Sequence, residues 1–251
     1  MADDNKPVKY ARYAIGEIVL VVIGIVIALQ INNWNEERKN SLLKDTYLEA
    51  LIIDVKRDIK NLEYWNMLND DAESEGLYML DFIEGRTLEI DSTRLVMSFL
   101  KCQYKPGISL SFSTYNDLIN SGNIKVFKDI ELKKSLDEYY AQDNWRLKLD
   151  ERITKTIWYD YRDKITEFVD PTIFKNMYQT ENFSDDTNAK NELLNYKIEW
   201  KLIKNNAGLL RELKNVLAYR VVIRKFYLAN QINKSRELLE IMNKKSPFKP
   251  Q

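Results

Sequence analysis

The chain has 251 residues, with 38 Lys/Arg against 38 Asp/Glu, no histidine and a single cysteine, Cys102. Without an imidazole there is no Ser-His-Asp or Cys-His constellation and no histidine metal ligand, and one thiol makes neither an internal disulfide nor a Cys-x-x-Cys site. The seven glycines form no phosphate-cradling GxGxxG or G-x-x-x-x-G-K-[ST] run. A hydrolase or nucleotide enzyme is therefore not expected, nor is a cofactor or a metal site. Cys102 reads as a small apolar core residue rather than a nucleophile.

Residues Tyr13 to Trp34, YAIGEIVLVVIGIVIALQINNW, follow a short basic tail and read as a membrane helix. Their 21 intervals reach roughly 32 Å at about 1.5 Å per residue, close to the roughly 30 Å of a bilayer core. The unbroken apolar core, Ile18 to Leu29, has 12 residues, a length that signal peptides share. The sequence after it, Ala28-Leu29-Gln30-Ile31-Asn32, offers no small-residue cleavage site, so an uncleaved span is expected. Tyr13 and Trp34 sit where amphipathic rings meet the two water interfaces. Glu17, one turn from Tyr13, lies near an interface, where a carboxylate can reach headgroups or bind a proton. Gly16, Gly24 and Ala28 share a face, and the last two have the small-xxx-small spacing that lets a second backbone approach. Lys6, Lys9 and Arg12 before the span are matched by Arg38, Lys39 and Lys44 after it. A short basic tail stays behind more readily than it translocates, so the N-terminus is expected in the cytoplasm and the C-terminal part outside it.

Asn35 to about Asn69 contains no glycine or proline, and Leu48, Ile52, Val55, Ile59 and Leu62 alternate spacings of four and three. This is a coiled-coil-like seam, and the span is expected to run into it as a stalk. The acidic run Asp70 to Gly76 has a misplaced glycine and no closing glutamate for a calcium loop, and reads as a solvated helix connection. A helical pattern follows to about Ile83 and stops near Gly85. Asp91 and Ser92 can cap a short helix to about Gln103, before Pro106-Gly107. In STYNDLINSGNIKVF, Ser113 to Phe127, Thr114 and Asp117 have capping-box spacing and Ser121-Gly122 supplies a stop. Asp129 then caps a helix with Leu132, Leu136 and Tyr139 on one face. Asp143-Asn144 marks a break, and Ile153, Ile157, Ile165 and Phe168 continue an apolar face as far as Asp170-Pro171. Gln179 to Asn191 reads as loop. A final helical region from about Leu193 to Asn243 carries Leu209, Leu213, Val216 and Ile223, with Gly208 as a kink. Aromatic residues such as Trp145, Trp158 and Tyr159 read as core rather than as the lining of a ligand pocket.

Strand-like alternation is nearly absent, so the reading is all-α: a basic tail (1–12), a transmembrane helix (13–34), a stalk (35–69), a helical bundle (70–243) and a C-terminal tail (244–251). Charge is uneven despite the balance. From Lys197 onward there are 13 Lys/Arg against 4 Asp/Glu, whereas Asp70 to Asp91 carries eight carboxylates and only Arg86. The preferred reading is that the last helix packs near the acidic segment, with no nucleic acid expected.

The segments Tyr13-Ala14-Ile15-Gly16-Glu17-Ile18 and Ala28-Leu29-Gln30-Ile31-Asn32-Asn33-Trp34-Asn35-Glu36 resemble the N-terminal signature of a bacterial domain-of-unknown-function family of single-span membrane proteins. Thr114 to Gly122, with Tyr139-Tyr140 later, resembles the same family. The resemblance implies a bacterial inner-membrane location and no assigned activity. It makes the corner of Thr114, Tyr115, Asp117, Ser121 and Gly122 the best functional position. The expected role is an interaction or scaffold module whose partners are the bilayer and either a second copy or another membrane protein. The alternative is a sensor-like bundle that binds a small ligand and signals through a partner.

Overall fold

The computed structural model describes residues 6–87, 91–103, 109–140, 145–170, 172, 198 and 200–246. These residues form helices and connecting turns, with no strand among them. The sequence expectations at Pro106-Gly107, Asp143-Asn144 and Gln179 to Asn191 lie outside the described residues.

Helix α1 runs from Lys6 to Ile83 without a break. Its N-terminal part is long and apolar enough to cross a membrane, and no other part of the described chain covers it. Leu48, Leu51, Val55 and Leu62 are buried, while Ile52 and Ile59 are half-buried. The stalk therefore becomes the central helix of the bundle from Leu48 onward. The apolar seam is closed by later helices of the same chain. The acidic run is a correction to the sequence reading: Asp70 to Gly76 is continuous helix. Ala72 and Gly76, four apart, face the core, while Asp70, Asp71 and Ser74 fall on the outer face and cost nothing in burial. The helix ends at Gly85, whose φ of 72° an L side chain would resist.

Helix α2 (Ser92–Cys102) starts as its sequence predicts, with Asp91 accepting a hydrogen bond from the Arg94 amide at 3.0 Å. Helix α3 (Ser113–Asn120) leads through Gly122 into a 3-10 turn, Asn123–Val126. Helix α4 (Ile130–Tyr140) is capped by Asp129, which accepts from the Leu132 amide at 2.9 Å, and buries Leu132, Leu136, Tyr139 and Tyr140. Helix α5 (Trp145–Ile165) carries Trp158, Tyr161 and Ile165 inward.

The final helical region is interrupted, which differs from the expected single run with a kink at Gly208. A short helix α6 (Trp200–Ile203) ends at Asn205, which has φ 62°, and Asn206 caps a new helix α7 (Ala207–Val222) by accepting from the Leu209 amide at 2.9 Å. Asparagine tolerates both the left-handed turn and the cap, so two adjacent asparagines reset the helix. The Asn205 amide also donates to the Ile83 carbonyl at 2.8 Å, closing the end of α1. A π-helical segment, Ile223–Leu228, joins α7 to helix α8 (Ala229–Lys245).

Two apolar clusters sit along α1. The one nearer the apolar N-terminal stretch joins Leu48, Leu51 and Val55 to Leu118, Phe127, Leu136 and Leu238. The other joins Met79 and Phe82 to Phe99, Tyr161, Leu213 and Val216. The basic C-terminal region meets the acidic segment as expected: Arg224 pairs with Asp70 at 2.7 Å and Glu73 at 3.0 Å on α1, and Lys214 with Glu84 in the turn after it at 2.7 Å. Arg236 reaches Glu63 at 2.6 Å.

Where α1 crosses α2 and α7, Gly76 makes the approach possible. A Cβ there would stand 2.6 Å from Leu217 Cδ2 and 2.9 Å from Cys102 Sγ. Gly76→Ala is expected to cost about 1–3 kcal/mol by overpacking, more than its gain in helix propensity. Equilibrium denaturation of the full chain in detergent checks this, and a stabilised variant would mean that the crossing is loose.

Candidate functional site

The corner marked out in the sequence is assembled on α1. Helix α3 begins at Ser113, so Thr114 lies inside its first turn and cannot act as the cap; Phe112 holds that position with no side-chain bond. The expected capping box is therefore not formed. Asp117 instead turns toward α1, where Tyr47 donates its hydroxyl proton to Asp117 Oδ2 at 2.7 Å. Asn123 donates to the Tyr47 oxygen at 3.0 Å. The helix stop is as expected: Ser121 bonds the Asp117 carbonyl at 2.7 Å, and Gly122 takes φ 71°. Tyr47 was missed by sequence reasoning. Its one signal was a polar-tipped ring adjoining Leu48, the first residue of the seam.

Tyr115 connects the corner to a deeper polar layer. Its ring stacks on Tyr140, centroids 4.2 Å apart, and its hydroxyl donates to Asp137 at 2.8 Å. Tyr140 meets Tyr139 edge-on at 4.8 Å. Tyr139 donates to Asp58 Oδ2 at 3.0 Å, and Asp58 Oδ1 accepts from both the amide and the hydroxyl of Ser111, at 3.0 and 2.7 Å. Asp58 is fully buried. Thus the corner, the segment before α3 and helix α4 are fastened by hydrogen bonds to one stretch of α1, Tyr47 to Asp58.

Burial keeps these phenols protonated: Tyr115 and Tyr139 donate, while the Tyr140 hydroxyl is buried with no hydrogen-bond partner among the described residues. Burial, and then the Asp137 carboxylate, push Tyr115 up to about 12. Burial raises Tyr139, Tyr140 and Tyr161 further. A raised phenol contributes stability that is complete below its unfolded value near 10 and is lost as pH rises through the folded value. In an alkaline titration followed at 295 nm, these four are expected to stay silent until a cooperative unfolding step above about pH 10. Smooth ionisation of all 15 tyrosines around the ordinary value would instead show them to be wet.

Asp117, Asp137 and Asp58 each accept a phenol, from Tyr47, Tyr115 and Tyr139. Among the described residues no cluster of three metal-ligating side chains occurs. Cys102 is buried against the Ala72 carbonyl and its thiol is pushed up to about 11 by that burial, the behaviour of a core residue. What the corner offers chemically is a Tyr-Asp-Asn surface on a rigid junction. The other expected positions are elsewhere. Tyr13, Glu17 and Trp34 lie exposed along the apolar part of α1, and Gly16 and Gly24 have open space where a Cβ would stand, with Ala28 exposed on the same helix.

Neither a search of curated proteins nor one of solved structures gives a match. A family model does match residues 17–154, covering all but the first four residues of the apolar stretch, the α1 core, the α3 corner and the tyrosine layer. The chain therefore belongs to DUF6090, a family of unknown function.

Proposed function

We propose that the protein is a membrane-anchored interaction module of the bacterial cell membrane. Residues Tyr13 to Trp34 span the bilayer once, the N-terminus is cytoplasmic and the bundle is outside. One observation carries this reading: α1 is apolar on all sides from Ile18 to Leu29 with none of the other described residues around it, then becomes the central helix of the bundle. A helix apolar on every face needs an apolar solvent, and the bilayer supplies one. The unbroken helix then holds the corner of Tyr115, Asp117 and Asn123 at a fixed height and orientation for a protein partner. The face of Gly16, Gly24 and Ala28 is the surface that a second span would meet.

The test is proteolysis of cells carrying a tag after Gln251, first intact, then with only the outer envelope opened, then with the inner membrane breached. Digestion at the second stage supports the proposed orientation, whereas protection until the third reverses it. Pull-down from detergent-solubilised membranes, with Tyr115→Ala and Asp117→Ala as comparisons, tests the interaction role. A specific partner lost in those variants supports it, and no specific partner counts against it.

A ligand-sensing role has one observation in its favour, a groove of about 340 Å³ walled by α1 itself where the helix enters the bundle. A thermal-shift screen of the protein against small ligands tests that reading by mass action.

A further inference from the structure

The groove at the base of the bundle lies between α1 and the loop from Val126 to Asp129. Its floor is apolar, made by Leu48, Val126, Phe127 and Leu132. Its rim is polar and carries both signs: Lys44, which pairs with Asp45 at 3.2 Å, and Lys128 stand on opposite walls, and Glu37 and Asn40 also line it. An apolar floor under a rim with two lysines suits an amphiphile with an anionic head, since acyl carbons and phosphate are each met by their own chemistry. It suits a wholly polar solute poorly.

The position of the groove along α1 selects the amphiphile. Trp34 ends the apolar stretch. Glu37 and Ser41, which line the mouth, are about 4.5 and 10 Å further along the axis at about 1.5 Å per residue. The headgroup layer extends roughly 5–8 Å beyond the hydrocarbon core on each side. The groove therefore begins at headgroup depth at Glu37 and rises just above that layer through Ser41 and Lys44, continuous with the span.

Charge agrees with position. Lys245 is engaged by Asp129 of the loop and by Glu131 at the start of α4, which offsets one of these two negative charges. Arg38, Lys39, Lys125 and Lys128 have no acidic partner among the described residues, against Glu36 and Glu37. Ile130, the first residue of α4, is 81% exposed among the described residues.

We propose that this groove is a binding site for the headgroup and adjoining glycerol-acyl region of an anionic phospholipid, in the leaflet from which α1 emerges. The site rests on the membrane-anchor reading and deepens it: the bundle sits on the bilayer and holds a lipid of that surface. Lipid occupancy of the groove braces the Val126–Asp129 loop against α1, and so sets the tilt at which the corner is presented.

The full chain, reconstituted in bilayers, tests this with a fluorophore on Ile130→Cys. The buried Cys102 does not compete for the label. Vesicles of phosphatidylcholine carry a trace of nitroxide-headgroup lipid, either phosphatidylglycerol or phosphatidylcholine. The expected result is quenching by the phosphatidylglycerol probe at least about twofold greater than by the phosphatidylcholine probe. This preference should vanish in the double variant Lys44→Glu, Lys128→Glu and persist in excess inorganic phosphate. Equal quenching by the two probes overturns the site, as does displacement by inorganic phosphate, which would mark a soluble phosphate ligand instead. A second fluorophore, on Leu29→Cys, is quenched by acyl-chain nitroxide if the span is inserted. Quenching there without the headgroup preference at residue 130 overturns the groove proposal alone, whereas no quenching at residue 29 overturns the anchor as well.

Discussion

Arg220→Met is expected to destabilise the folded bundle by about 3–5 kcal/mol, enough to lower its melting temperature by roughly 10 °C. The side chain is 1% exposed, one of the most deeply buried large groups in the protein. Its guanidinium donates to Asn69 Oδ1 at 2.9 Å and to the carbonyls of Lys101 and Cys102 at 3.1 and 2.8 Å. Those two carbonyls are at the C-terminus of α2, where a helix has no acceptor-satisfying amides of its own and its dipole favours a cation. Asn69 returns a bond to the Arg220 carbonyl at 3.1 Å, so α1, α2 and α7 meet through one residue. The guanidinium also lies 5.4 Å from the Trp158 ring centroid, bringing in α5. Burial lowers the pKa of Arg220, as it must for a charge removed from water. Methionine would keep much of the stem's volume but leave the Asn69 oxygen and the Cys102 carbonyl without these donors, each costing about 1–3 kcal/mol, while the Lys101 carbonyl keeps the Gln103 amide. Denaturant unfolding of the full chain in detergent micelles, followed by tryptophan fluorescence, measures the loss. Arg220→Lys should be intermediate, because an ammonium reaches fewer of these acceptors than a planar fork does. A loss below about 1 kcal/mol in the methionine variant would mean that water replaces the guanidinium and the junction is not closed.

Local chemistry was legible in the sequence. Asp91 and Asp129 cap the helices they precede, Gly85 and Gly122 stop the helices before them, and Leu132, Leu136 and Tyr139 face inward as their spacing indicates. These signals lie within a few residues of their effects. Long-range polar pairing was not legible. Arg220 stands in a run rich in Lys and Arg, and nothing near it shows that the ends of two distant helices will close on it. The Thr114–Asp117 spacing was formally a capping box, but a phenol 70 residues away takes the carboxylate instead. The acidic run of Asp70 to Gly76 looked like a connection because composition outweighed phase. Its two small residues, four apart, were the helical signal. The break at Asn205-Asn206 had a local signature, yet the apolar periodicity on both sides concealed it. The basic excess after Lys197 was correctly expected to meet the acidic segment, although only part of it does so, at Arg224 and Lys214.

The same distinction applies to Asp58, which lies between Val55 and Ile59 on a seam the sequence presents as apolar. Asp58→Ala is expected to cost about 3 kcal/mol, since three donors lose the acceptor that a fully buried Asp58 gives them. Two of them, the amide and hydroxyl of Ser111, belong to the segment that leads into α3. The third, the Tyr139 hydroxyl, lies on α4 and is 3.2 Å from Ser235 Oγ of α8. Losing the acceptor thus loosens three elements at once. Tyr139→Phe removes one of the donors instead and should cost only about 1 kcal/mol. The double variant separates a network from a set of independent bonds. With the tyrosine hydroxyl already gone, Asp58→Ala orphans one group fewer, and the coupling is expected at about 0.5–3 kcal/mol. Full additivity would show that Asp58 and Tyr139 act separately. The Asp58 defect should also reach the corner, because Ser111 fixes the approach to α3 and Tyr139 supports the Tyr140 ring on which Tyr115 stacks. Amide exchange across 113–123 is therefore expected to quicken in Asp58→Ala, while Tyr139→Phe leaves it nearly unchanged. Unchanged exchange in the alanine variant would mean that the corner is held by Tyr47 and Asp117 alone, and that the buried acid serves only the core.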